Sequence, residues 1–93
     1  MVFQVVRVRN QLGMHARAAA RFVHVASGFT ARVRVRCGER EIDGKSILGI
    51  LLLAAGFGSD ITIATDGPDE VLALGALVSL VDTGFGEGAP CDA

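Results

Sequence analysis

No stretch of this 93-residue sequence is long and apolar enough to span a membrane, and its opening, Met1 Val2 Phe3 Gln4 Val5, lacks the charged region of a secretory signal. A cytoplasmic protein without membrane insertion is therefore expected. Charge of one sign is missing too, since nine Lys and Arg against ten Asp and Glu leave a formal net charge of -1. That balance excludes a protein built to coat nucleic acid or an anionic lipid surface. Cysteine is scarce. Cys37 and Cys91 show no CxxC spacing and sit in dissimilar contexts, so neither a disulfide nor a zinc site is expected and both read as free thiols. What is present is apolar: 51% of the residues are hydrophobic and 20% charged, the make-up of one small domain with no room for a second. Residues 1–84 are expected to form it, with 85–93 a loose tail of Gly, Pro, Ala and acid.

The periodicity changes along the chain. From Val2 to Arg9 valines come to alternate with arginines, as in a strand with one face in water. From Ala16 to Ser27 the apolar residues Ala19, Phe22, Val23 and Ala26 recur at helical spacing. Arg17, Arg21 and His24 line the other side, and Gly28 ends the run. Thr30 to Cys37 alternates strictly, with Arg32, Arg34 and Arg36 on one face. Gly38 and Glu39 turn the chain into a short antiparallel partner, Arg40 to Ile42. Glu39 and Glu41 lie near the arginines, which makes that face a solvated, partly paired one. A short helix from Ile47 to Leu53, a strand from Ile61 to Thr65 and a last helix beginning at or beside Pro68 complete the order. Val71, Leu74, Leu77, Val78 and Val81 are the expected apolar face of that last helix, which should end near Asp82 to Gly84.

Two stretches carry chemistry. In Gly13 Met14 His15 Ala16 Arg17 an apolar strand has ended and an alanine-rich helix begins, which puts a histidine among backbone N–H groups that lack intrahelical partners. Helix end and Arg17 both disfavour an imidazolium, so His15 is expected to be a neutral nucleophile beside an anion cradle. Phosphate chemistry fits that pairing. The second stretch starts at Ser46, placed to cap a helix whose residues Ile47, Leu48, Ile50, Leu51, Leu52 and Leu53 leave it almost no polar face. A helix in a one-layer cover shows one side to water, so part of this run should form an exposed apolar patch suited to docking; burial beneath the tail or a second copy is the alternative.

Strand, helix, strand, strand, helix, strand, helix implies an α+β open-faced sandwich: a four-stranded antiparallel sheet covered on one face by three helices. With the Gly13–Arg17 and Lys45 Ser46 Ile47 Leu48 Gly49 segments in hand, the chain resembles the histidine-containing phosphocarrier family, HPr, of the bacterial phosphoenolpyruvate-dependent sugar phosphotransferase system, from Val5 to about Asp82. The resemblance implies a monomeric carrier rather than a stand-alone enzyme. It implies that His15 is phosphorylated on Nδ1 by the pathway's first enzyme and passes the group to sugar-specific acceptor proteins, with Arg17 steadying the phosphate. It further implies a regulatory role for Ser46, open to a serine kinase, and partner docking by Ala20, Ile47, Leu48, Leu51 and Leu52. No metal or organic cofactor is called for. Two positions depart from the family pattern: Ala18 stands where proline is usual, and Leu12 where a small polar residue is common. Proline at 18 is expected to be tolerated in the first helical turn and to stabilise the domain by about 0.4–1 kcal/mol. Two rivals remain. One is a regulatory relative acting through Ser46 and docking alone, in a nitrogen-related or catabolite-control branch. The other is an RNA-recognition module, whose sheet needs stacking aromatics where this chain carries arginines and valines.

Overall fold

Alternation along the strands decides which face of the sheet is covered. The computed structural model describes residues 1–10, 12–53 and 55–86. They form β1 (Val2–Arg7), α1 (Ala16–Ser27), β2 (Arg32–Cys37), β3 (Arg40–Asp43), α2 (Ile47–Leu53), β4 (Asp60–Asp66) and α3 (Glu70–Asp82). The strands run in the order β1-β4-β2-β3, each antiparallel to its neighbour. The last strand in sequence thus lies inside the sheet. There it buries Ile61, Ile63 and Thr65, and the two isoleucines share one core with Val33 and Val35 of β2, Phe22 of α1, Ile50 of α2 and Leu77 of α3. The opposite face is wet. Arg32, Arg34 and Arg36 are exposed on it, and Arg34 Nη2 lies 3.1 Å from Glu41 Oε1, an exposed pair worth at most about 1 kcal/mol.

Each element follows from its residues, with three differences from the sequence pattern. The β1 ladder stops at Arg7, although the alternation runs to Arg9. Val8 is instead held by the loop before β4, donating to the Ser59 carbonyl at 2.8 Å and accepting from the Gly58 N–H at 2.9 Å. The second difference is in α3. Its buried residues are Ala73, Leu77 and Val81, Leu74 and Val78 are half-buried, and Val71 is 69% exposed. This helix is apolar almost all round, so hydrophobicity alone does not mark the side that faces the sheet. Asp69, just before it, leaves its own helix uncapped. Its carboxylate accepts the Thr30 and Ala31 N–H groups, each at 2.8 Å, and so fastens the start of α3 to the entry of β2.

The third difference lies at the end of the chain. Gly84–Gly86 closes a 3₁₀ turn, and Phe85 is only 1% exposed, a member of the core rather than of a loose tail. Both Gly84 (φ +68) and Phe85 (φ +60) are left-handed. For phenylalanine that backbone costs roughly 1–2 kcal/mol, while burial of its side chain returns roughly 1.5–3 kcal/mol. Burial wins. The ordered domain therefore continues past residue 84; residues 87–93, with Cys91, lie outside the described residues. Cys37 is a half-buried free thiol.

Candidate functional site

The connector between β1 and α1 is fixed before it reaches the histidine. Gly13 has φ +65, and a Cβ there would stand 2.8 Å from the Ala55 carbonyl oxygen and 2.9 Å from Gly56 Cα. Only glycine fits that turn. The next residue, Met14, is buried and donates its N–H to the Ala55 carbonyl at 2.9 Å. The chain leaving α2 thus presses on the segment that enters α1.

His15 is the N-cap of α1, with extended backbone (φ -80, ψ 179), and its carbonyl accepts the Ala19 N–H at 2.8 Å. Its ring does what a serine or aspartate oxygen does at other helix starts: Nδ1 accepts the Arg17 backbone N–H at 3.3 Å. An accepting Nδ1 carries no proton, so in the neutral ring the hydrogen sits on Nε2. The lone pair points at the positive end of a twelve-residue helix that has no acidic residue in its first turn. An added anion at Nδ1 would inherit the Arg17 amide as a donor. Arg17 itself is exposed and forms no ion pair with any described residue. With Ala20, Arg21, His24, Val25 and Leu80 it lines a shallow groove beside α1.

Ser46 caps the second helix. Its Oγ accepts the Gly49 N–H at 3.0 Å and its carbonyl the Ile50 N–H at 3.0 Å. Of the apolar run that follows, Ile50 and Leu53 enter the core, while Ile47, Leu48, Leu51 and Leu52 are exposed, Leu48 by 65% and Leu52 by 60%. The exposed apolar patch expected on this helix is present. Ala20 is exposed on α1, which packs against α2, and Leu12 is exposed in the connector.

Three residues of the site were not singled out by the sequence. Asn10, read as mere connector, is buried and donates Nδ2 to the Gly13 carbonyl at 2.7 Å. Arg21, read as part of a polar stripe, donates Nη1 to the Phe85 carbonyl. Phe85 itself was discounted for its glycine-rich surroundings. A lone aromatic among small residues was the available signal, since nothing else there could anchor the chain.

The whole arrangement has known counterparts. Residues 2–83 match the family model described as PTS HPr component phosphorylation site. The chain is 48% identical over 79 residues to the phosphocarrier protein HPr of Cupriavidus necator, covering 85% of this chain and 89% of that one. It is 40% identical to the phosphocarrier protein NPr of Shewanella violacea, covering 90% and 92% of the two chains. Among solved structures, HPr-C-His from Thermoanaerobacter tengcongensis superposes with a TM-score of 0.91 at 36% identity, over 95% of this chain and 99% of the other.

Proposed function

The chain belongs to the HPr family of phosphocarrier proteins of the phosphotransferase system, and from that premise we propose that His15 takes a phosphoryl group from the system's phosphoenolpyruvate-dependent first enzyme and delivers it to sugar-specific acceptor proteins. The observation that carries this reading is the Nδ1 lone pair held at the N-terminus of α1 by the Arg17 N–H. In the forward step Nδ1 attacks phosphorus, an N–P bond forms, and the bond from phosphorus to the donor breaks with its electron pair leaving on the donor. Nε2 keeps its proton. Because the phosphoryl group passes through a loose transition state, the protein's contribution beyond the nucleophile itself is positioning and charge stabilisation. The Arg17 amide, released from Nδ1, is aimed at a phosphoryl oxygen, and the exposed Arg17 guanidinium adds a cation at the same end of the helix. Delivery to the acceptor reverses these contacts. Ala20, Ile47, Leu48, Leu51 and Leu52 serve as the docking surface, since an exposed apolar patch is what a transient partner recognises.

The test is incubation with phosphoenolpyruvate and the first enzyme, followed by an assay for an acid-labile phosphoryl group. One such group per chain, absent from His15→Ala, is the expected result. A protein that stays unmodified while a known carrier is phosphorylated in the same mixture would overturn the reading.

A further inference from the structure

Behind the phosphoacceptor segment lies the turn at Gly84 and Phe85, which touches both the residue before that segment and the helix after it. Gly84 lies against Asn10: a Cβ built on the glycine would stand 3.6 Å from Asn10 Cβ and 3.8 Å from its backbone nitrogen. Asn10 is 3% exposed. It closes the Asn10–Gly13 turn twice, through its carbonyl, which accepts the Gly13 N–H at 3.0 Å, and through Nδ2, which donates to the Gly13 carbonyl at 2.7 Å. That carbonyl takes a second donor, the His15 N–H, at 2.9 Å. With two donors on one oxygen, the Gly13–Met14 peptide plane cannot rotate without breaking a bond, and that plane sets the backbone that aims the His15 ring. On the other side of the site, Arg21 stands one helical turn after Arg17 and donates to the Phe85 carbonyl. Phe85 is locked in the core, so its carbonyl and Gly84 are fixed points.

We propose that the Gly84–Phe85 turn is a brace for the phosphoacceptor loop, acting on His15 through Asn10 and on α1 through Arg21, with Asn10 and Phe85 as positioning residues for phosphoryl transfer. Neither touches the reacting atoms. Their effect is to keep Nδ1 turned to the Arg17 N–H, so that the nucleophilic lone pair and the first turn of the helix stay in register. Phe85 uses a left-handed backbone that its side chain disfavours, and this geometry directs its carbonyl to Arg21 while Gly84 faces Asn10. The kinetic consequence rests on the phosphocarrier reading; the structural consequence does not.

The experiment compares wild type with Asn10→Asp, which keeps the shape of the side chain but removes its donor, and with Phe85→Leu and Phe85→Ala. Val81→Ala serves as a control for lost core packing elsewhere, because Val81 is buried in α3. Imidazole nitrogen NMR reads the His15 ring without any phosphoryl donor. A braced ring shows the Nε2–H tautomer almost exclusively, and Asn10→Asp and Phe85→Ala bring it towards the mixed tautomers of free histidine. Phe85→Leu restores the wild-type spectrum, and Val81→Ala never leaves it. With the first enzyme, the maximal rate of phosphorylation falls about ten- to a hundredfold in Asn10→Asp, while the concentration of carrier giving half-maximal rate stays within a factor of two. Equal loss in Val81→Ala and Asn10→Asp, or a ring signal indifferent to all four substitutions, would overturn the brace. Failure of the wild type to accept phosphate would strike the functional reading instead, and the ring signal would still decide the brace.

Discussion

The proposed role of His15 asks for a ring held in one orientation and within reach of a partner. The Arg17 N–H orients Nδ1, and half-burial of the ring leaves it reachable. His15→Ala is therefore expected to abolish phosphoryl acceptance while the domain still folds, with a melting temperature lower by about 4–8 °C at most, since an alanine at the N-cap costs about 1 kcal/mol. Arg17→Ala keeps the amide and loses only the cation. It should slow transfer roughly tenfold, about 1.4 kcal/mol of transition-state stabilisation, measured as single-turnover rate at saturating donor. A rate equal to wild type would remove the guanidinium from the mechanism. At Ala18 the structure alters the expectation drawn from the first-turn position. The residue is fully buried, so the proline ring that would stabilise by about 0.4–1 kcal/mol through the unfolded chain has to enter a packed site at about 1–3 kcal/mol. Ala18→Pro should fold and melt below wild type; a higher melting temperature would show that the site has room.

The short helix α2 brings a cap and exposed apolar residues together on one turn. Its cap is Ser46, whose Oγ holds the Gly49 N–H, and its exposed residues Ile47 and Leu48 come directly after the cap. Replacement by alanine should cost about 1 kcal/mol and leave partner affinity nearly unchanged. A phosphate on Ser46 would be well placed for the positive end of the helix, yet it would add roughly -1.5 to -2 charges beside the apolar patch proposed for docking. Ser46→Asp, a partial mimic, is expected to fold and to bind the first enzyme more weakly, so that His15 is phosphorylated more slowly. Affinities of wild type, Ser46→Ala and Ser46→Asp at fixed salt decide the matter, and three equal values would reduce Ser46 to a cap. The run Ile47 to Leu53 was legible as a helix with a surplus of apolar residues. Which of them face water was not, because with no polar side only the position of α1 and the sheet separates Ile50 and Leu53 from their neighbours.

Across the whole molecule, acidic clamps join elements far apart in sequence, and they make the fold sensitive to pH. The Thr30 N–H, most of all, with the Ala31 N–H and the Lys45 charge, holds the Asp69 carboxyl below the usual carboxylate range against some desolvation. Glu70 is lowered as well, first by the Gly67 N–H and then by the amino terminus, 3.3 Å from its Oε2. A carboxyl whose pKa is lower folded than unfolded stabilises fully above its unfolded value, about 3.9 for aspartate, and loses that contribution as pH falls through the folded value. Stability should therefore drop on acidification below about pH 4. Asp69→Asn should be less stable than wild type at pH 7, and the gap should narrow towards pH 2. Urea melts across that range check it. A gap that stays constant with pH would mean that the carboxylate charge does nothing for the fold.

The four strands and three α-helices, the pairing of β2 with β3, the wet face of the sheet and the histidine at a helix start were legible in the sequence, whereas the 3₁₀ turn at Gly84–Gly86 was not. Each legible feature is written locally, in a period of two or of 3.6 or in one glycine after a strand. Gly13 and His15 were legible because a turn and a helix cap are decided within a few residues. Tertiary structure alone decided that β4 lies between β1 and β2, that α3 turns Ala73 rather than Val71 to the core, and that Asp69 serves the Thr30 and Ala31 amides instead of its own helix. Only the folded chain brings Gly84 and Phe85 against Asn10 and Arg21. Contacts between residues dozens of positions apart leave no periodicity to read, and burial of Phe85 depends on a cavity that exists only once the helices have closed over the sheet.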